Sequence, residues 1–485
     1  MQLKSLYIKD YKILKDFSID FAYDFERYIS VFIGANGSGK STVLEAIAQI
    51  FSNAYLNEKA KFGFELEYSL NLEFPVLVKL SAEKDENISI SVESAIDNTD
   101  LTDNLIKETK QIILDKKRYS LFPDNVIVYY SGLSEHMDLL CKKHEEIQQK
   151  EFFKGNNLAK RSLFYYRLEN FNMLLLALLS YEFGDIKDFI FDKLRITEAS
   201  GFYIKIKRPN TSWAKGKKAK DLWGAKGVLK EFYLVLSNYA KFTMIADDDN
   251  SIEFSFPTIG RLYSIKNHYG NERKLFDLLD MSYYEGFFET INISFNKGIK
   301  QVSSIPQDGE IHFSSNQLSE GEQQSIIIKG LTELLAEKNT LFLFDEPDTY
   351  LHPKWQRQFI SEIEKTIDIG GTTENNYVIA THSPQLLSNA KTELNFVKVI
   401  ENGVFVENTP KYYGRDINAI LFDLMGVEER NNIVKKNISD LFTLIEEEEI
   451  EDAENALKEL QKLIGEDDIE LKRAEIQIEY LKEDE

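Results

Sequence analysis

Short apolar runs recur along this chain, and several of them end in glycines or in acidic residues. Ile29-Ser30-Val31-Phe32-Ile33 reads as a buried strand, and Ser41-Thr42-Val43-Leu44-Glu45-Ala46-Ile47-Ala48 has the apolar spacing of a helix. Leu341-Phe342-Leu343-Phe344 runs into Asp345-Glu346, which predicts a core parallel strand delivering two acids at its C-terminal edge. Val378-Ile379-Ala380-Thr381-His382 is another apolar strand ending in a polar residue. Phe64-Glu65-Leu66-Glu67-Tyr68-Ser69-Leu70 alternates instead, so residues about 62–92 predict antiparallel, half-buried strands. Residues about 135–310 predict helices near 136–152, 159–182, 185–195 and 226–239, with a hairpin around Asp247-Asp248-Asp249-Asn250. Sustained heptads are missing there, so a compact, mainly helical lobe is expected rather than a coiled coil. Beyond Tyr413, apolar positions repeat with helical spacing between acidic turns, as in Ala453, Leu457, Leu460 and Ile464.

The segment between the first strand and the first helix carries chemistry. In Gly34-Ala35-Asn36-Gly37-Ser38-Gly39-Lys40-Ser41-Thr42 the glycines let the backbone turn tightly, so that successive N–H groups face phosphate oxygens. The helix that follows adds the positive end of its dipole. Lys40 is placed to reach the β- and γ-phosphates of ATP, and the Ser41 hydroxyl to ligate Mg2+. Asp345 suits the same metal, and Glu346 suits polarisation of the attacking water. His382, one strand-helix unit further on, is a candidate contact for the γ-phosphate or the water; a purely structural role is the alternative.

The ordered set of motifs resembles the ABC-type ATPase heads of the RecF, SMC-like and OLD-like branch. Leu318-Ser319-Glu320-Gly321-Glu322-Gln323 matches that branch's signature, with Glu320 and Glu322 where transporter domains usually carry Gly and Gln. Asp348 falls in the D-loop position, Leu351-His352-Pro353 continues the pattern, and Lys12 sits in a resembling first hairpin. Val126-Ile127-Val128-Tyr129-Tyr130-Ser131-Gly132 stands where the Q-loop strand should end, without a glutamine. The resemblance implies an α/β fold: a P-loop head with a mixed sheet and an antiparallel β subdomain, a mainly helical insertion and a C-terminal helical tail. The expected divisions are residues 1–134, 135–310, 311–412 and 413–485. It also implies that Ser319, Gly321 and Glu322 act on the ATP of a facing copy, so that a homodimer or higher homo-oligomer is needed. The tail, from Tyr413-Gly414-Arg415-Asp416-Ile417 onward, is similar to that of PtuA-type ATPases of Septu and retron-associated antiphage systems. That similarity implies an HNH nuclease partner, PtuB, while a RecF-like repair ATPase without a nuclease is the alternative. A transporter motor is disfavoured by the long insertion and the two signature glutamates.

Charge refines this picture. The net charge is −22, but residues 439–485 hold 18 acids against 5 bases, a net of −13 that leaves about −9 for the rest. Lys205 to Lys230 holds nine basic residues and one acid, with Trp213 and Trp223 interleaved. Such a segment can neutralise nucleic-acid phosphates and stack on a base; a solvated basic loop is the equal alternative. Asp247-Asp248-Asp249 is read as a hairpin turn rather than a nuclease metal site, which leaves any nuclease activity to another polypeptide. A single Cys141, a polar N-terminus and no run long enough to span a bilayer lead to the expectation of a cytoplasmic protein without membrane contact.

Overall fold

The structure, a computed structural model, describes residues 1–21, 28–72, 75–94, 118–132, 134–153, 162–298, 310–367, 375–391, 395–406, 411–425 and 430–484. Strands β1 (Gln2–Tyr11) and β2 (Leu14–Asp20) form an antiparallel hairpin, with Lys12 in the left-handed region at its tip. β3 (Ile29–Ile33) is buried along its whole length and leads to the helix Lys40–Leu56. β4 (Phe64–Asn71), β5 (Pro75–Ala82) and β6 (Ser89–Ser94) complete an antiparallel sheet in the order β2-β1-β4-β5-β6. The expected alternation is present in β4, where Phe64, Leu66, Tyr68 and Leu70 are buried and their neighbours are not.

The insertion departs from the sequence reading in two places. Helices Glu135–Phe153, Asp185–Leu194 and Gly227–Tyr239 stand where the spacing predicts them. A continuous helix over 159–182 does not form. After β7 (Asn125–Tyr130), residues Leu163-Phe164-Tyr165 form β8, which pairs in parallel with β7, and a helix covers only Asn170–Leu179. All three β8 residues are buried, so pairing with β7 gives this apolar, aromatic triplet a place that outweighs helix propensity; residues 159–161 lie outside the described ones. The second departure is a further antiparallel sheet. β9 (Glu198–Lys207), β10 (Phe242–Ile245), β11 (Ser251–Phe256), β12 (Phe288–Gly298) and β13 (Glu310–Ser314) order as β10-β11-β9-β12-β13. The expected hairpin is β10–β11, with Asp249 at a left-handed φ of 61° in its turn.

β14 (Thr340–Asp345), β15 (Asn376–Thr381), β16 (Asn395–Glu401) and β17 (Val404–Phe405) finish a seven-stranded core sheet in the order β17-β16-β3-β15-β14-β7-β8. Every pairing in it is parallel except β16 with β17. The chain divides into two compact units, Met1–Thr409 and Pro410–Glu485. In the second unit, helices Asn432–Glu446, Ile450–Ile464 and Ile469–Asp484 bury Leu441, Ala453, Leu471 and Ala474 between them. Among the described residues, no helix is long and apolar enough to cross a membrane.

Candidate nucleotide site

Sheet order gathers the motifs. β15 lies between β3 and β14, with Ile33 opposite Thr381 and Asp345 opposite Ala380, so the C-terminal ends of the three strands share one edge. Adjacent strands stand about 4.8 Å apart, so the ends of β3 and β14 lie two strand spacings, roughly 10 Å, from each other. The turn takes the shape its glycines permit. Gly37 and Gly39 have φ of 78° and 111°, and a Cβ on Gly34 would lie 2.3 Å from the Ile400 carbonyl oxygen. Ala35, Asn36 and Gly37 form the exposed crown of the loop, while Ser38 and Lys40 are buried. Lys40 Nζ donates to the carbonyls of Gly34 at 2.8 Å and Ala35 at 3.1 Å. Burial pushes the Lys40 pKa down, against the opposing charges of Glu346 and Asp345. Ser41 and Thr42 follow in the first turn of the helix.

The two acids sit in different surroundings. Asp345 is 2% exposed, and among the described residues neither of its carboxylate oxygens has a hydrogen-bond partner. Burial raises its pKa; the nearby Ser41 and Tyr130 hydroxyls oppose that shift without making a hydrogen bond of ordinary geometry. A buried, unsatisfied carboxylate beside a serine hydroxyl is a hard-oxygen donor set, so Asp345 and Ser41 fit Mg2+. Glu346 has a left-handed φ of 51° and its N–H donates to the Ala380 carbonyl at 2.8 Å, which ties this acid to β15. Its Oε2 lies 2.5 Å from His382 Nδ1. Burial raises the Glu346 pKa and His382 counteracts it. Asp348 is buried beside the same edge, where it accepts from Thr381 Oγ1 at 2.8 Å at the end of β15.

Ser319 and Gly321 stand apart from these groups. Ser319 is the exposed N-cap of the helix Glu320–Leu334 and closes a capping box with Glu322. Its N–H and hydroxyl donate to Glu322 Oε2 at 2.9 and 2.8 Å, and the Glu322 N–H returns to Ser319 Oγ at 3.4 Å. Gly321 passes so close to the next loop that a Cβ there would lie 2.8 Å from the Tyr350 carbonyl oxygen. Among the described residues, no hydrogen bond or ion pair joins Ser319, Gly321 or Glu322 to the Gly34–Thr42 loop.

Three residues of the site were not singled out by the motifs. Tyr130 ends β7 opposite Asp345, in the position where the glutamine is missing. Glu45, one helical turn beyond Ser41, holds Lys12 through both oxygens at 2.7 and 2.6 Å and lies 3.1 Å from His136 Nε2. Gln324 is buried and donates to the Tyr129 hydroxyl and the Pro347 carbonyl, while its oxygen accepts from the Tyr350 N–H. The i, i+4 spacing from Ser41 is the signal that could have found Glu45; Tyr130 and Gln324 depend on strand order and loop contacts.

In the basic segment, Lys207, Lys215, Lys217, Lys218, Lys220, Lys226 and Lys230 are exposed. Trp223 is fully buried and donates through Nε1 to the Asp249 carbonyl at 2.8 Å, so it is not available to stack on a base. Trp213 is 36% exposed and lies 5.8 Å from Phe287. Lys205 pairs with Glu289 at 2.9 Å and Arg208 with Asp249 at 3.3 Å. Asp249 also accepts from the Ala219 N–H at 3.0 Å, so this acid anchors the basic loop to the hairpin turn.

A parallel sheet with a phosphate-binding turn after one strand and an acidic pair two strands away defines a P-loop ATPase head of mixed α/β architecture. Residues 1–387 match the AAA ATPase domain family, and the chain belongs to it. Three solved structures align with the chain. An SMC head bound to the C-winged helix domain of ScpA aligns at 13% identity and a TM-score of 0.33, over 84% of this chain and 96% of that one. The recombination mediator RecF with ATPrS aligns at 14% identity and a TM-score of 0.33, over 83% and 97%. MJ1267, an ATP-binding cassette of an ABC transporter, aligns at 12% identity and a TM-score of 0.31, over 87% and 95%. No curated protein matches the chain.

Proposed function

We propose that this chain is the ATP-binding and ATP-hydrolysing regulatory subunit of an antiphage defence complex of the PtuA type. Two copies pair head to tail around two ATP molecules, and the nucleotide state controls a partner HNH nuclease that acts on DNA. The supporting observation is the position of Ser319 and Gly321: Ser319 is an exposed helix N-cap with the half-buried Gly321 two residues on, and among the described residues no hydrogen bond or ion pair joins either to the phosphate loop of its own chain.

In this reading the N–H groups of Gly34 to Thr42 cradle the phosphates. Lys40 leaves the Gly34 and Ala35 carbonyls to meet the β- and γ-phosphates. Asp345 and Ser41 would hold Mg2+, which supplies neutralising charge at the phosphate oxygens when bound. Glu346 polarises the attacking water, and His382, at hydrogen-bonding distance, orients that carboxylate and contacts the γ-phosphate. Ser319 and Gly321 of the opposite copy complete the pocket, which requires Glu322 to release the Ser319 N–H it now holds. Mixing Lys40→Ala with Ser319→Arg protein then yields one intact site per mixed dimer. ATP hydrolysis should reappear in the mixture although each variant alone is inactive; no recovery at any ratio refutes the shared site.

A second reading, a RecF-like DNA repair ATPase without a nuclease partner, is favoured by the exposed Lys215, Lys217, Lys218 and Lys220. Co-purification of a small HNH protein with the chain separates the two.

A further inference from the structure

A cavity of about 340 Å3 opens between three helices away from the phosphate loop: Asp185–Leu194 of the insertion, Glu320–Leu334 and Pro353–Glu364. Phe189, Lys193, Ser325, Leu351, Trp355 and Phe359 are among its walls. We propose that this cavity is an effector site for a small aromatic carboxylate, whose anionic group pairs with Lys193 and whose ring lies against Phe189, Trp355 and Phe359.

Lys193 is the reason for the anion. Its Nζ lies 3.7 Å from the centre of the Trp355 ring and 5.5 Å from that of Phe189. Burial pushes its pKa down to about 8, against the pull of Glu362. Among the described residues no carboxylate comes within ion-pair distance of it: Glu362 pairs with Lys365 at 2.7 Å, and the neighbouring Lys329 is already taken by Glu333 at 2.7 Å. An ammonium held over an aromatic face, partly out of water and without a counter-ion, gains more from an arriving anion than an exposed lysine does. Phe189, Trp355 and Phe359 favour a flat ring, while the polar part of the lining, which includes Asp192, Arg195 and Glu362, favours a ligand that carries charge at one end only.

The walls also reach the ATP machinery, and this half of the inference rests on the shared-site reading above. A Cβ on Gly321 would lie 3.7 Å from Trp355 Cζ3, so the indole abuts the start of the signature helix. Ser325 Oγ donates to the Gly321 carbonyl at 2.9 Å, and the Leu351 N–H donates to the Asp348 carbonyl at 3.0 Å. A ligand that shifts Trp355 or Ser325 therefore acts on the segment that faces the second copy's ATP.

Isothermal titration of the full chain with 2-naphthoate, without nucleotide, tests the site directly. Saturable binding is expected, at least tenfold weaker for the neutral 2-naphthamide and for Lys193→Gln, and retained by Lys193→Arg. Saturating 2-naphthoate should change the ATP hydrolysis rate at least twofold in the unaltered protein and leave the Lys193→Gln rate unmoved. No saturable binding, or equal binding by the amide or by Lys193→Gln, overturns the site. Binding with an unmoved hydrolysis rate overturns the regulatory coupling. Because the calorimetry needs no ATP, failure of the shared-site reading leaves the binding result standing.

Discussion

Replacing Asp345 with asparagine should make the empty protein more stable and the nucleotide-loaded protein less so. Both Asp345 oxygens are buried, and among the described residues neither makes a hydrogen bond of ordinary geometry, although the Ser41 and Tyr130 hydroxyls lie nearby. An unsatisfied buried polar group costs about 1–3 kcal/mol, and more when it is charged. Asparagine keeps the shape and removes the charge, so Asp345→Asn should gain on the order of 1–3 kcal/mol without ligand. For a chain of this size each kcal/mol moves the melting temperature by roughly 1 °C, giving a rise of about 1–3 °C. Mg2+ and ATP at a hundredfold excess over Kd stabilise by about 2.7 kcal/mol, and the variant should forfeit most of that gain. Thermal melts with and without Mg2+-ATP should therefore cross. The pH dependence follows from the direction of the shift. Burial raises the Asp345 pKa, so the folded protein holds that proton more readily than the unfolded chain. The cost is absent below the ordinary value of about 3.9 and grows as pH rises through the higher folded value. The variant's advantage should accordingly shrink as pH falls from neutral toward 4. An empty Asp345→Asn protein that melts below the unaltered one at neutral pH would refute the idea that this carboxylate awaits a cation.

Glu346→Gln should lower ATP hydrolysis by about a hundredfold to ten-thousandfold while retaining ATP binding, and should accumulate a closed dimer detectable by size-exclusion chromatography. Lys215, Lys217 and Lys218→Glu together should weaken DNA binding and flatten its dependence on salt, with nucleotide affinity unchanged; an unaltered salt slope removes the phosphate-binding role of this loop.

The strand, turn and helix around Lys40 were legible because all their determinants are contiguous. The pattern predicts a strand at Ile29–Ile33 and the structure has it at those bounds. The run into Asp345 is likewise self-contained: six consecutive buried residues leave no other place for that strand than the middle of a sheet. What escaped depends on partners far away in sequence. Leu163–Tyr165 is too short to announce itself as a strand and becomes one only beside β7. β12 alternates from Ile291 to Phe295, but its pairing partner β9 lies about 90 residues upstream. Trp223 looked available because Lys220 and Lys226 flank it, yet its ring is buried 6.3 Å from Phe287 and its Nε1 donates to the Asp249 carbonyl. Tyr130 could be noticed only as a missing glutamine until the register set it opposite Asp345.

Gln324 gives the head a particular mechanical character. Its single amide ties the helix Glu320–Leu334 to Tyr129, Pro347 and Tyr350, so the helix start, which the proposed pairing would turn toward a second copy, and the loop after Glu346 form one lever. In a head-to-tail pair each lever would touch both nucleotides, one at either end. Loss of a γ-phosphate from one pocket would then be felt mechanically in the other, and the two ATP molecules would be spent as a coupled pair rather than as two independent clocks.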